Sequence, residues 1–93
     1  MAASLQRRAV ATIRNKRGLH ARASAKLVEA AARFQSRIAV IKDGQSVDAR
    51  SIMGLMMLAA SLHSEIEITA EGPDADEAMT AILALIEARF GED

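Results

Sequence analysis

The chain is 93 residues long, enough for one domain with a modest core but not for a separate catalytic domain. Its 12 Lys and Arg balance 12 Asp and Glu, and Phe34 and Phe90 are its only aromatic residues, so it has neither the basic surface nor the stacking platform of a nucleic-acid binder. With no cysteine, two histidines and no apolar run near the ~18 residues that span a bilayer, it argues against a disulfide framework, a metal centre, a resident cofactor or a membrane segment, and fits the cytoplasm.

Met1 to Arg8 lacks the apolar stretch of a secretion signal. From Ala9 to Ile13 the pattern predicts a strand, with Ala9, Ala11 and Ile13 on one face and Val10 and Thr12 on the other. Asn15-Lys16-Arg17-Gly18 reads as a polar turn. It leads into a helix entered near His20, whose predicted apolar face is Ala21, Ala25, Val28 and Ala32 with Leu27 and Ala31, leaving Lys26, Glu29 and Arg33 in solvent. Phe34-Gln35-Ser36 breaks the helical pattern. The β-branched run from Arg37 to Lys42 predicts a second strand, and Asp43-Gly44 predicts a tight hairpin into a third, Gln45 to Ala49.

Ser51 suits the N-cap of a short helix from Ile52 to Leu58. Met53, Met56 and Met57 beside Ile52, Leu55 and Leu58 make that helix apolar nearly all round, more than so small a domain can bury. An exposed methionine surface adapts to several partners. Glu65 to Ala70 alternates as a fourth strand with one wet face, ended by Gly72-Pro73. Asp74 and Glu77 read as a capping box. They open a last helix with the stripe Met79, Ile82, Leu83, Ile86 and Phe90, reaching about Arg89 with Gly91 as its stop. This order predicts a single α+β domain over residues 1–93: a four-stranded antiparallel sheet with three helices on one face and the other face largely solvated.

Chemistry concentrates between Arg17 and Leu27. Gly18 permits a sharp turn, and His20 then stands where a helix presents amides that lack intrahelical partners and, with the dipole, attract anions. Arg22 adds a guanidinium suited to phosphate oxygens. An imidazole here is a competent nucleophile near neutral pH. Ser24 offers a hydroxyl, to phosphate or to the helix as a cap.

Gly18-Leu19-His20-Ala21-Arg22 resembles the active-site motif of HPr, the histidine phosphocarrier family of the bacterial phosphotransferase system. Ser51-Ile52-Met53-Gly54-Leu55-Met56-Met57-Leu58, beginning 31 residues after His20, resembles the family's regulatory-serine helix. The resemblance runs from about Arg7 to Phe90 and implies the HPr-like open-faced β-sandwich. It implies that His20 accepts a phosphoryl group on Nδ1 from phospho-Enzyme I and passes it to an EIIA-type domain. Arg22, Ala21 and Ser24 would steady the phosphate, and Ile52, Met53, Met56 and Ala25 would form the docking patch. Ser51 would be modified by an HPr kinase/phosphorylase. The protein would be a monomer and a substrate of enzymes, not an enzyme, with no metal or cofactor of its own. Because the family commonly has glycine where this chain has His63, that residue is expected in a left-handed turn, exposed and without chemistry.

The usual motif continues from the arginine with proline and alanine, whereas this chain has Ala23-Ser24. The entrance is then less preorganised but gains one N–H donor. Asn15-Lys16, Gly72-Pro73 and the tail Arg89-Phe90-Gly91-Glu92-Asp93 are similar to the nitrogen-related branch of the system. Two rival readings stand beside the relay. One is a regulatory binding module controlled through Ser51, with His20 only a cap. The other is a small acid–base enzyme, for which no nearby motif supplies His20 with a partner.

Overall fold

The computed structural model describes residues 5–92; Met1 to Ser4 of the N-terminal stretch and Asp93 of the tail lie outside it. Alternation in the central strand decides the architecture. Strand β4 (Glu65–Gly72) buries Ile66, Ile68, Ala70 and Gly72 and turns Glu65, Glu67, Thr69 and Glu71 the other way. It lies antiparallel between β1 (Leu5–Thr12) and β2 (Arg37–Lys42), and β3 (Gln45–Asp48) pairs with the far side of β2, giving the order β1-β4-β2-β3. Ala9 and Val40 both stand opposite Ile68, so one register places the apolar faces of three strands together. Helices α1 (Ala21–Ala31), α2 (Ile52–Met57) and α3 (Ala75–Glu87) cover that face. On the open face Val10 is 65% exposed.

The alternation predicted for β1 holds, but the strand starts at Leu5. Pairing with β4 continues to Leu5 opposite Gly72 although Leu5 to Arg8 are exposed, so backbone hydrogen bonds carry that end. Arg7 pairs with Asp76 and Arg8 with Glu67, charges that blunt an otherwise open sheet edge.

Helix α1 is rotated from its predicted face. It buries Ala23, Ser24, Leu27 and Ala31, while Ala21, Ala25 and Ala32 are exposed and Val28 is half-buried. The physical reason is that alanine surrounds this helix and carries little directional signal, so Leu27 sets the rotation and Ser24 tolerates burial. The Ser24 hydroxyl donates to Leu19 O at 3.0 Å. At the other end of α1, Arg50 Nη2 donates to Ala31 O and Phe34 O, a cationic cap on the helix C-terminus that nothing in the local pattern announces.

Asp74 does precede α3, but the capping box does not form. Its carboxylate makes no cap bond; it accepts from Gln35 N–H, Ser36 N–H and the Ser36 hydroxyl at 2.9, 2.8 and 2.5 Å, fastening the α1–β2 connection to the start of α3. Phe90 is likewise not the last rung of the α3 stripe. The helix ends at Glu87, and Arg89, Phe90 and Gly91 follow in the left-handed region at φ 58°, 55° and 74°. Each such non-glycine conformation costs of order 1–3 kcal/mol. Burying the Phe90 ring completely returns about 1.5–3 kcal/mol.

Gly18 has the most restrictive backbone position near the site. Its φ is +64°, and a Cβ there would lie 2.2 Å from Ala60 O and 2.8 Å from Ser61 Cα. Gly18→Ala is expected to lower stability by roughly 2–4 kcal/mol. Thermal unfolding of the variant at a Tm close to the parent's would show that this approach is not tight.

Candidate functional site

The segment from Asn15 to Leu19 is fixed before the helix begins. Gly18 N–H donates to Asn15 O at 3.1 Å, the Asn15 side-chain amide donates to Gly18 O at 2.8 Å, and Leu19 N–H donates to Ala60 O at 2.9 Å. Leu19 is buried, which turns the next residue outward. His20 is the N-cap of α1 in extended conformation, and its carbonyl accepts the first helical bond, from Ser24 N–H at 2.9 Å. The N–H groups of Ala21, Arg22 and Ala23 precede that bond and stand at the positive end of the helix. The His20 side chain makes no cap bond, so the imidazole is free for another use.

Cations gather around the neighbouring first turn of α1, in a cleft that His20 itself does not line. Lys16, Arg17, Arg22 and Lys26 line this open cleft of about 460 Å³ together with Gly91 and Glu92. Arg22 is exposed. Lys26, exposed as expected, also donates from Nζ to Phe90 O at 2.6 Å, because the turn after α3 brings that carbonyl within its reach. Ser24 is fully buried, and its N–H and hydroxyl are bound to His20 O and Leu19 O, so neither of its donors faces the cleft.

The element that sequence reasoning misses is the tail. Glu92 Oε2 lies 2.6 Å from His20 Nε2, and Glu92 Oε1 accepts from the fully buried Asn15 amide at 3.0 Å. His20 therefore has an acid–base partner, contrary to the expectation that none is at hand. The partner lies 72 residues away in sequence. The only local trace is the Gly91-Glu92 sequence at the chain's end, where glycine marks a turn and a carboxylate follows. Partial burial pushes the Glu92 carboxyl up. The hydrogen bonds from Asn15 and His20 and the charges of His20 and Arg22 outweigh this and hold it below the ordinary glutamate value.

The second segment lies on α2, which packs beside α1. Ser51 is its N-cap, and its hydroxyl accepts from Gly54 N–H at 3.0 Å. Leu55 and Leu58 are buried, whereas Ile52, Met53, Met56 and Met57 are exposed, with Met53 at 67%. Ala25 on α1 is exposed too. His63 is exposed at φ 75°, in the left-handed turn expected of it. Among the described residues no cluster of His, Asp and Glu fit to hold a metal is found, and no helix is long and apolar enough to cross a membrane.

Comparison with known proteins agrees with this geometry. A family model described as the PTS HPr component phosphorylation site matches residues 8–88. A phosphocarrier protein HPr from Cupriavidus necator is 57% identical over 81 residues, 87% of this chain and 91% of that protein. A crystal structure of HPr-C-His from Thermoanaerobacter tengcongensis superposes with a TM-score of 0.90 at 45% identity, covering 94% of this chain and 98% of the other. An HPr dimer from the same organism gives 0.75 at 48% identity, covering 88% and 94%. The class so defined is the phosphocarrier of the phosphotransferase system, a carrier rather than a catalyst. The chain belongs to the HPr family.

Glu92 and Asp74 both carry a sign for acid stability. The hydrogen bonds from Ser36 and Gln35 hold the Asp74 carboxyl below its ordinary value, and Glu92 is also held low. A depressed carboxylate stabilises the fold fully above its unfolded value, about pH 4, and loses that contribution as pH falls through its folded value. Tm is therefore expected to fall as pH drops below about 4. Asp74→Asn should lower Tm at neutral pH and flatten the acid limb; an acid limb as steep as the parent's would remove Asp74 from the account.

Proposed function

We propose that His20 accepts a phosphoryl group on Nδ1 from phospho-Enzyme I and delivers it to an EIIA-type domain. The observation that carries this reading is the placement of His20: a side chain without a cap bond, at the entrance of a helix whose first amides and Arg22 favour an anion. Arg22 and the amides of Ala21 to Ala23 are the groups proposed to steady the phosphate, with Ser24 left to hold the loop. Ile52, Met53, Met56 and Ala25 are proposed as the docking patch. Their exposure beside α1 and the mobility of methionine side chains suit a surface used in turn by donor and acceptor.

Ser51 is proposed as a regulatory site for an HPr kinase/phosphorylase. We place the protein in the cytoplasm as a single domain over residues 1–93, working as a monomer, since the relay face must open to one partner at a time. The Asn15-Lys16, Gly72-Pro73 and Arg89–Asp93 features favour an acceptor of the nitrogen-related branch. The test is incubation with phosphoenolpyruvate and a cognate Enzyme I, which should place one acid-labile phosphate on the chain. Failure to label with an active Enzyme I would overturn the relay and leave the regulatory module.

A further inference from the structure

We infer that Glu92 is a positioning residue for the transfer proposed above: its carboxylate holds the His20 proton on Nε2, leaves the Nδ1 lone pair free to attack, and balances the charge that the ring gains as the N–P bond forms. The inference rests on the relay reading of His20 and adds to it the tail of the chain.

Three features converge on this role. An ionised carboxylate only accepts hydrogen bonds; with Oε2 at 2.6 Å from Nε2, the single proton of the neutral ring belongs on Nε2, which leaves Nδ1 bare in that form. The second carboxylate oxygen is gripped by the Asn15 amide, which also holds Gly18 O, so one buried side chain ties Glu92 to the loop that sets His20. The chain reaches this position through the consecutive left-handed residues Arg89, Phe90 and Gly91, with Phe90 seated in the core and its carbonyl held by Lys26. Here the backbone adopts an unfavourable path that ends with a carboxylate on the imidazole. His20 and Glu92 side chains are 23% and 14% exposed, so their bond lies partly out of water, where it gains strength.

The chemistry then balances without moving the ring proton. The Nδ1 lone pair forms a bond to the phosphorus carried by the donor protein. The bond from phosphorus to the donor atom breaks, and its electron pair stays on the donor. The ring, phosphorylated on Nδ1 and still protonated on Nε2, carries a positive charge that the adjacent Glu92 carboxylate offsets. In the onward step the N–P bond breaks toward the acceptor, its pair returns to Nδ1, and neutral imidazole leaves with its proton still on Nε2. A buried carboxylate orients and supports the histidine of a hydrolytic triad in the same way.

The test uses the full chain, labelled with 15N, as parent, Glu92→Gln and Glu92→Ala. In long-range 1H–15N spectra the neutral parent should show His20 protonated on Nε2 alone. Glu92→Ala should show both tautomers, as is expected of the exposed His63. Glu92→Gln keeps an acceptor oxygen but no charge, so it should retain the Nε2–H tautomer. In both variants the maximal rate of phosphorylation by phospho-Enzyme I is expected to fall about ten-fold, with little change in KM. Parent-like rates in both variants, or an unchanged His20 spectrum in Glu92→Ala, would overturn the role of Glu92. Absence of acid-labile phosphate on the parent itself would instead overturn the relay, so the two failures are distinct.

Discussion

His20→Ala is expected to abolish phosphoenolpyruvate-dependent labelling while leaving the fold intact. The side chain lies at the surface end of α1, makes no cap bond, and contributes its carbonyl to the first helical bond, which alanine supplies equally well. The substitution therefore removes the nucleophile and its contact with Glu92 without opening the core. Arg22→Ala should behave differently. The guanidinium is exposed and its role is electrostatic, so labelling should survive at a reduced rate. Loss of charge-assisted hydrogen bonds worth about 1.5–3 kcal/mol corresponds to roughly a ten- to hundred-fold slower transfer. Circular dichroism checks the fold, and acid-labile 32P incorporation checks the relay. A His20→Ala protein that still takes acid-labile phosphate would place the acceptor elsewhere.

The strands were legible because alternation is a local property. Ile66, Ile68 and Ala70 fall on the buried side as their spacing predicts, and Asp43 and Gly44 both have positive φ, as a two-residue hairpin requires. The Ser51 cap was legible for the same reason, since donor and acceptor are three residues apart. What escaped the sequence depends on distant partners or on absent contrast. In α1 the alanines on every side make several rotations nearly equivalent by pattern, and only the core contact of Leu27 chooses between them. Asp74 looks like a cap by its neighbours, yet the amides of Gln35 and Ser36, brought close by the fold, compete for its carboxylate and win. At the site, His20 and Arg22 announced themselves through the motif. Asn15 passed as a turn residue and Glu92 as a terminal charge, because their meeting requires Phe90 to fill the core and the backbone after α3 to reverse through the left-handed region.

Ser51→Asp is expected to slow phosphoryl transfer to His20 at least about ten-fold at low salt, with much less effect on stability. The Ser51 hydroxyl accepts from Gly54 N–H at the start of α2, an end that already favours negative charge, so an aspartate there can also cap. The cost arises at the surface. Ile52 and Met53 adjoin residue 51 and are exposed, so a partner that covers them must strip water from the new carboxylate. A partner that is acidic where it meets Arg22 would in addition repel that charge, a contribution that salt screens. Ser51→Ala separates the two roles: it should transfer at the parent rate and lose only its cap, about 1 kcal/mol. A phosphoserine, bearing about −1.5 to −2 charges at neutral pH, should inhibit more strongly than aspartate. Measuring Enzyme I rates for both variants at low and high salt decides the matter. A rate deficit of Ser51→Asp that shrinks with salt identifies repulsion, and one that persists identifies desolvation. A Ser51→Asp protein that accepts phosphate as fast as the parent at low salt would leave Ser51 a helix cap alone.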